Sequence, residues 1–232
     1  MDVVEAGLLG VRAAVSQLAR RETPLRFTIY PMVHLAEPAF YAEVSRRLRD
    51  HDLIVAEGIN GPAGSHSTAS RLTQAYRLAS ASERLGLVGQ TRAVYEVGVP
   101  ILWADMSGAE FADKWRKLPL VERAVANVAA PLTGLYLRTF GTREALARQL
   151  ATDDDTDIDE WRPELGLDRL IKDDRDALLI QAVTKICEER QDEHIDVAIV
   201  YGAAHVPPLV AYLMTALGYV VIDAEWVTIF DY

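Results

Sequence analysis

A chain of 232 residues, half of them hydrophobic, is long enough to bury a core as one domain, because chains split into several cores mainly beyond about 250 residues. With 24 basic against 34 acidic residues the net charge is −10, which repels phosphate backbones and anionic bilayers and excludes nucleic acid and membranes as expected partners. Cys187 is the single cysteine, so no internal disulfide forms, and a reducing, cytoplasmic location is expected.

The opening Met1-Asp2-Val3-Val4-Glu5 lacks the basic start of a secretory signal, and the apolar spacing after it predicts an amphipathic helix to about Arg20. A strand is expected from Leu25 to Tyr30, a helix from Pro38 to Arg49 and a strand from Leu53 to Ala56. In the following GINGPAGSHS, Gly58, Gly61 and Gly64 do not have dinucleotide-fingerprint spacing, and Pro62 removes a donor that a phosphate nest needs. It reads as a mobile loop carrying His66.

Helical periodicity resumes from Thr68 to Leu85 and from Val88 to Val97, and Pro100 to Asp105 reads as a short buried strand. From Gly108 to Arg190 the spacing is helical, with stops expected at Pro119, Pro131-Gly134 and Gly141 and an acidic break at ATDDDTDIDE. Asp153, Asp155, Asp157, Asp159 and Glu164 stand at calcium-loop offsets, but Ile158 occupies the place of the turn glycine, so a solvated acidic loop is expected. The last helix of the block begins at Asp173-Asp174, acidic residues that suit a helix N-terminus. Val197 to Ile222 is apolar apart from His205, yet Gly202, Pro207, Pro208 and Gly218 divide it into strand, helix and strand rather than a membrane span.

Two distant stretches read as versions of one unit. FTIYPMVHLAEPAFYAEVSRRLRDHDLIVAEG and VAIVYGAAHVPPLVAYLMTALGYVVIDAE each run strand, histidine, helix, strand, glutamate. Carboxyl ends of strands in α/β sheets are where sites form, so His34, His205 and Glu57 are expected in one crevice if the two histidine-bearing strands are neighbours. His51 and His194 sit in helix-to-strand links at the opposite edge and read as surface residues.

Two imidazoles and a carboxylate leave an open position for water on zinc or a similar divalent ion. Without metal, a histidine can take the proton from water while Glu57 orients it. Both chemistries stay open at this stage. A carboxylate after the buried run Leu53-Ile54-Val55-Ala56 needs a partner, for which Arg92 or Arg175 would serve. Asp105 repeats the pattern after Ile101-Leu102-Trp103-Ala104, whereas Glu225 is weaker because the strand continues past it.

The order of a histidine after the first strand, the strand ends LIVAEG and PILWADM, the Arg-Asp pair in DDRDALL, and Gly202-Ala203-Ala204-His205 resembles the TraB/TIKI superfamily, which includes erythromycin-esterase-like and ChaN-like proteins. The resemblance spans roughly residues 25 to 222. It implies a hydrolase of peptide, ester or amide bonds, with His34, Glu57 and His205 as catalytic residues or as ligands of a divalent ion such as Zn, Mn or Co, and with Arg175 as the family's arginine. Pro31 stands where that family's first motif has glycine, and Met106 follows Asp105 where arginine is frequent.

The expectation is therefore a single α/β domain over residues 1–232 with a mixed or mostly parallel central sheet of about five strands and a helical cap inserted at about 107–191. The strand ending at Tyr30 should lie beside that ending at Tyr201. Arg175 should bind substrate or developing negative charge, and Asp105 should hold an imidazole or complete a metal shell. A small-molecule or peptide substrate is the expected partner, and the C-terminal WVTIFDY is an edge strand suited to pairing with a second copy. The rival is a non-catalytic binding or regulatory protein using the same pocket.

Overall fold

The computed structural model describes residues 2–58, 74–154 and 166–232. Its N-terminal segment is strand, not the expected helix: β1 (Val4–Ala6) pairs antiparallel with β2 (Gly10–Arg20), Val4 opposite Ala13. The error has a physical cause. Val11, Val15 and Leu18 stand at helical offsets, but β2 is buried on both faces, with Ala13 and Val15 on one side and Ala14, Ser16 and Leu18 on the other, so no alternation is visible. Arg20 to Thr23 then turns the chain into β3 (Thr23–Met32), antiparallel to β2.

Along the chain follow α1 (Pro38–Leu48), β5 (Leu53–Ala56), β7 (Ile101–Trp103), β8 (Asp196–Gly202) and β9 (Val220–Asp231). Together the described strands form a seven-stranded mixed sheet in the order β1-β2-β3-β8-β5-β7, with β9 on the other side of β2. The expected neighbours do pair: Tyr30 lies opposite Val200 in the parallel β3–β8 ladder. β5 is parallel to β8 and β7 to β5, so four strands deliver their carboxyl ends to one edge. β8 is the centre, and its Val197 to Tyr201 are fully buried, as a strand covered on both faces requires.

A small second sheet pairs β4 (Leu35–Ala36) with β6 (Val88–Gly89). The expected helix from Val88 to Val97 is therefore replaced by β6 and a 3-10 turn at Arg92–Tyr95. α1 buries Phe40, Tyr41, Val44 and Leu48 on one face and ends in Arg46 and Arg47, cations that complement the helix C-terminus.

The block before β8 is helical where described: α2 (Gln74–Ala79), α3 (Gly108–Lys117), α4 (Leu120–Phe140), α5 (Arg143–Asp154), α6 (Gly166–Ile171) and α7 (Asp173–Arg190). α3 opens on a capping box of Ser107 and Glu110. Contrary to expectation, α4 runs through Pro131 and Gly134. A Cβ at Gly134 would lie 2.7 Å from Ala75 Cα, so this glycine serves a close helix crossing, not a stop.

After β8 comes α8 (Val206–Thr215) and then β9. No described helix is long and apolar enough to cross a membrane. The two units are not equivalent: Glu225 lies mid-strand in β9, exposed and paired with Arg47 at 2.7 Å. His194 is exposed, but the expectation that His51 is a surface residue fails. Its side chain is largely buried and bonds Tyr30 Oη at 2.8 Å. His66 and the acidic offsets Asp155, Asp157, Asp159 and Glu164 lie outside the described residues.

Candidate active site

Glu57 leaves the end of β5 directly beside the end of β8. Its backbone N–H donates to Val200 O, and its side-chain Oε2 accepts the Gly202 N–H at 2.6 Å. A Cβ at Gly202 would stand 3.0 Å from that same oxygen and 3.4 Å from His205 Cδ2. Glycine here lets backbone, carboxylate and imidazole meet at one point.

Oε1 of Glu57 accepts Arg175 Nη2 at 2.5 Å. Arg175, in the first turn of α7, also grips Asp105 with Nε at 3.0 Å and Nη2 at 2.6 Å. Asp105 further accepts the Gly58 and Met106 N–H groups, and its side chain is 0% exposed. The assignment of Asp105 to an imidazole or a metal shell is corrected accordingly: both its oxygens are occupied by Arg175 and backbone donors, one bond behind the site. Arg92 lies over Trp103, so Arg175 is the partner that Glu57 needs.

His205 ends a 3-10 turn between β8 and α8. Its Nδ1 lies 2.6 Å from Asp176 Oδ1. With Nδ1–H donating to the carboxylate oxygen, Nε2 is the ring nitrogen left for chemistry. Tyr201 stands edge-on to the ring at 5.1 Å, anchored by its hydroxyl to Ala104 O at 2.9 Å. Asp176 was not expected in the site. Its place in an acidic first turn reads as complementing the helix dipole, and the sequence signal for it is the Arg-Asp pair of DDRDALL, in which only Arg175 was assigned a role.

His34 sits at the bend between β3 and β4, where its carbonyl accepts Gln90 N–H at 3.1 Å and its ring packs on Tyr76 at 4.3 Å. Pro31 is accommodated upstream. The β2–β3 ladder ends at Ile29, so on that side a missing N–H breaks no ladder bond.

His34, Glu57, Arg175 and His205 line a single cavity of about 300 Å³. The rest of its wall is mainly apolar, with Val4, Met32, Leu137, Leu146, Leu150 and Phe230. Although surrounded by protein, the His34 side chain is open to this space. Burial holds its pKa below the ordinary value, with Arg175 and His205 adding to this against the pull of Glu57. For Glu57, burial pushes upward, but Arg175, His205, His34 and the Gly202 N–H outweigh it and keep the carboxylate ionised. Arg175 is pushed up by its two carboxylates, against the effect of burial.

The comparisons with known proteins decide nothing further. No family model, curated protein or solved structure matches the chain.

For a metal ion the arrangement is a poor fit. Among the described residues no three His, Cys, Asp or Glu side chains converge as a cation requires, and both Glu57 oxygens already serve Arg175 and Gly202. What converges instead is a carboxylate-supported imidazole, a second imidazole and a guanidinium whose Nη1 has no partner among the described residues, all at the polar end of an apolar chamber.

Proposed function

We propose that the chain is a hydrolase of a small, largely apolar ester or amide, and that its own side chains activate the water. The observation carrying this reading is the Asp176–His205 pair at 2.6 Å beside the Glu57 carboxylate on the same cavity. Asp176 fixes the His205 tautomer so that Nε2 faces a water. Nε2 takes the proton as the water oxygen attacks the substrate carbonyl. Glu57 and Asp176 together stabilise the imidazolium so formed, and Arg175 Nη1 meets the developing oxyanion. The His205 imidazolium then returns this proton to the departing alkoxide or amine as the C–O or C–N bond breaks, and His34, held neutral by its surroundings, orients the leaving group through a hydrogen bond. The apolar wall excludes bulk water and receives the acyl or alkyl part.

A divalent ion shared by His34, Glu57 and His205 would supply Lewis-acid activation of the same water, but Glu57 would first have to release Arg175. The hydrolase reading suits the resemblance to the TraB/TIKI superfamily, and the rival binding protein would use the same chamber without turnover.

The test is a panel of short- and medium-chain acyl esters and anilides, assayed with and without chelator on the intact protein and on His205→Ala. Turnover that survives chelation and is lost in His205→Ala supports the proposal. Loss on chelation with recovery on adding Zn, Mn or Co supports the ion-dependent version. Saturable ligand binding with no turnover of any panel member supports the binding protein.

A further inference from the structure

α4 carries a surface that the proposed chemistry does not use. Val121, Val125, Val128, Leu132 and Leu135 follow one another at alternating spacings of four and three residues, and each is between 51% and 73% exposed. Leu120, Tyr136 and Phe140 extend the same apolar surface. The buried side of the helix is narrow: Ala126, Gly134 and Leu137. A stripe repeating every 3.5 residues fits another helix crossing at a shallow angle, not a flat or irregular surface.

We infer that α4 is the contact helix of a homodimer, seated antiparallel on the α4 of a second copy. Four observations select that occupant. First, the stripe is complementary to itself: a two-fold axis across the helix at Ala130 sets Val125 level with Leu135 and Val128 level with Leu132, a smaller residue against a larger one in each layer. Second, Ala124 and Ala129 flank it, small enough for close approach of two backbones. Third, from Ala124 to Leu137 there is no Asp, Glu, Lys, Arg or His, so two copies of a chain with net charge −10 meet here without like-charge repulsion. An anionic bilayer is the poorer occupant, since an interfacial helix needs a basic polar face, and Arg123 and Arg138 are the only cations of α4. Fourth, eight large side chains exposed by half or more present on the order of 1,000 Å² per copy, the scale of a stable interface at about 800 Å² per partner.

The dimer would also bear on the site. Thr133 and Leu137 of the same helix line the cavity, so the interface braces one wall of the chamber from outside. Dimerisation itself does not depend on the hydrolase reading, and its test reads mass, not turnover.

The experiment is sedimentation equilibrium of the full chain, unmodified and as Val128→Lys, Leu132→Glu and Ile222→Lys. The last lies on the free edge of β9, the alternative pairing surface. A dimer is expected, weakened about 100-fold or more by each α4 substitution and unchanged by Ile222→Lys. Far-UV circular dichroism should stay native in all, because these side chains are solvent-exposed in the monomer. A monomer at about 100 μM, a dimer indifferent to both α4 changes, or one broken by Ile222→Lys would overturn the inference.

Discussion

Replacing Arg175 with alanine removes the single cation that neutralises two carboxylates at once. Its guanidinium lies 2.5 Å from Glu57 and 2.6 Å from Asp105, and the three side chains are 13%, 19% and 0% exposed, so water screens the loss poorly. Breaking a buried pair by deleting one partner costs about 3–5 kcal/mol, and here two anions are stranded, so a loss near the upper end is expected at neutral pH. The sign of the pH dependence follows from Glu57, whose folded pKa lies below the ordinary glutamate value of 4.5. Stability from its ionised form is present above 4.5 and disappears as pH falls through the folded value. The gap between the parent protein and Arg175→Ala should therefore be widest near neutrality and shrink in acid. Urea unfolding followed by circular dichroism at about pH 7 and about pH 4 measures both terms. Arg175→Lys, which keeps charge but not the two-sided grip, should recover part of the loss. A deficit below about 1 kcal/mol at neutral pH, or one that grows in acid, would show that Arg175 does not neutralise the two carboxylates in the folded protein.

Asp176→Asn should lower hydrolysis by about 10²- to 10⁴-fold while shifting the urea midpoint little, and steady-state assays with unfolding controls separate the two. In Gly202→Ala the new methyl meets Glu57 Oε2 at 3.0 Å and the His205 ring at 3.4 Å; a fall in kcat larger than its stability loss of about 1–3 kcal/mol is expected. His34 has a folded pKa below 6.5. Under more acidic conditions the unfolded chain protonates it first, and stability is lost as pH falls below that value. Unfolding across pH 5 to 8 should thus show a shallower acid slope in His34→Gln than in the parent. Tyr30→Phe leaves His51 Nε2 without the partner it has at 2.8 Å, and a loss of about 1–2 kcal/mol in urea unfolding is expected.

The parallel half of the fold was readable because its strands are short apolar runs closed by helices with clear signals: Pro38 opens α1, and Asp173-Asp174 opens α7. In the antiparallel half, β3 and β9 were readable as the strands at Leu25 to Tyr30 and WVTIFDY, but β1 and β2 were not. β2 hides its alternation by burying both faces, and its alanines and arginines favour helix in isolation. Pro131 and Gly134 read as breaks, yet α4 continues because the glycine meets α2. In the candidate site, Glu57, Arg175, His34 and His205 each end or begin an element at the carboxyl edge of the sheet, which strand order alone brings together. Asp105 shared the same sequence pattern but not the same place, since only the fold could show that Arg175 takes its two oxygens. Asp176 was hidden for the converse reason: a carboxylate in the first turn of a helix already has an ordinary explanation.

At the centre of this account stands one chamber in which His34 and His205 act on the same small apolar molecule. Imidazole ring resonances recorded by heteronuclear NMR, while hexanoate is added as a stand-in for an acyl product, test that most directly. The rings of both His34 and His205 should shift along one saturation curve, with the His205 proton on Nδ1 in mildly alkaline solution and His194 unmoved. Shifts confined to one of the two rings, separate curves, or a His205 proton found on Nε2 would contradict it.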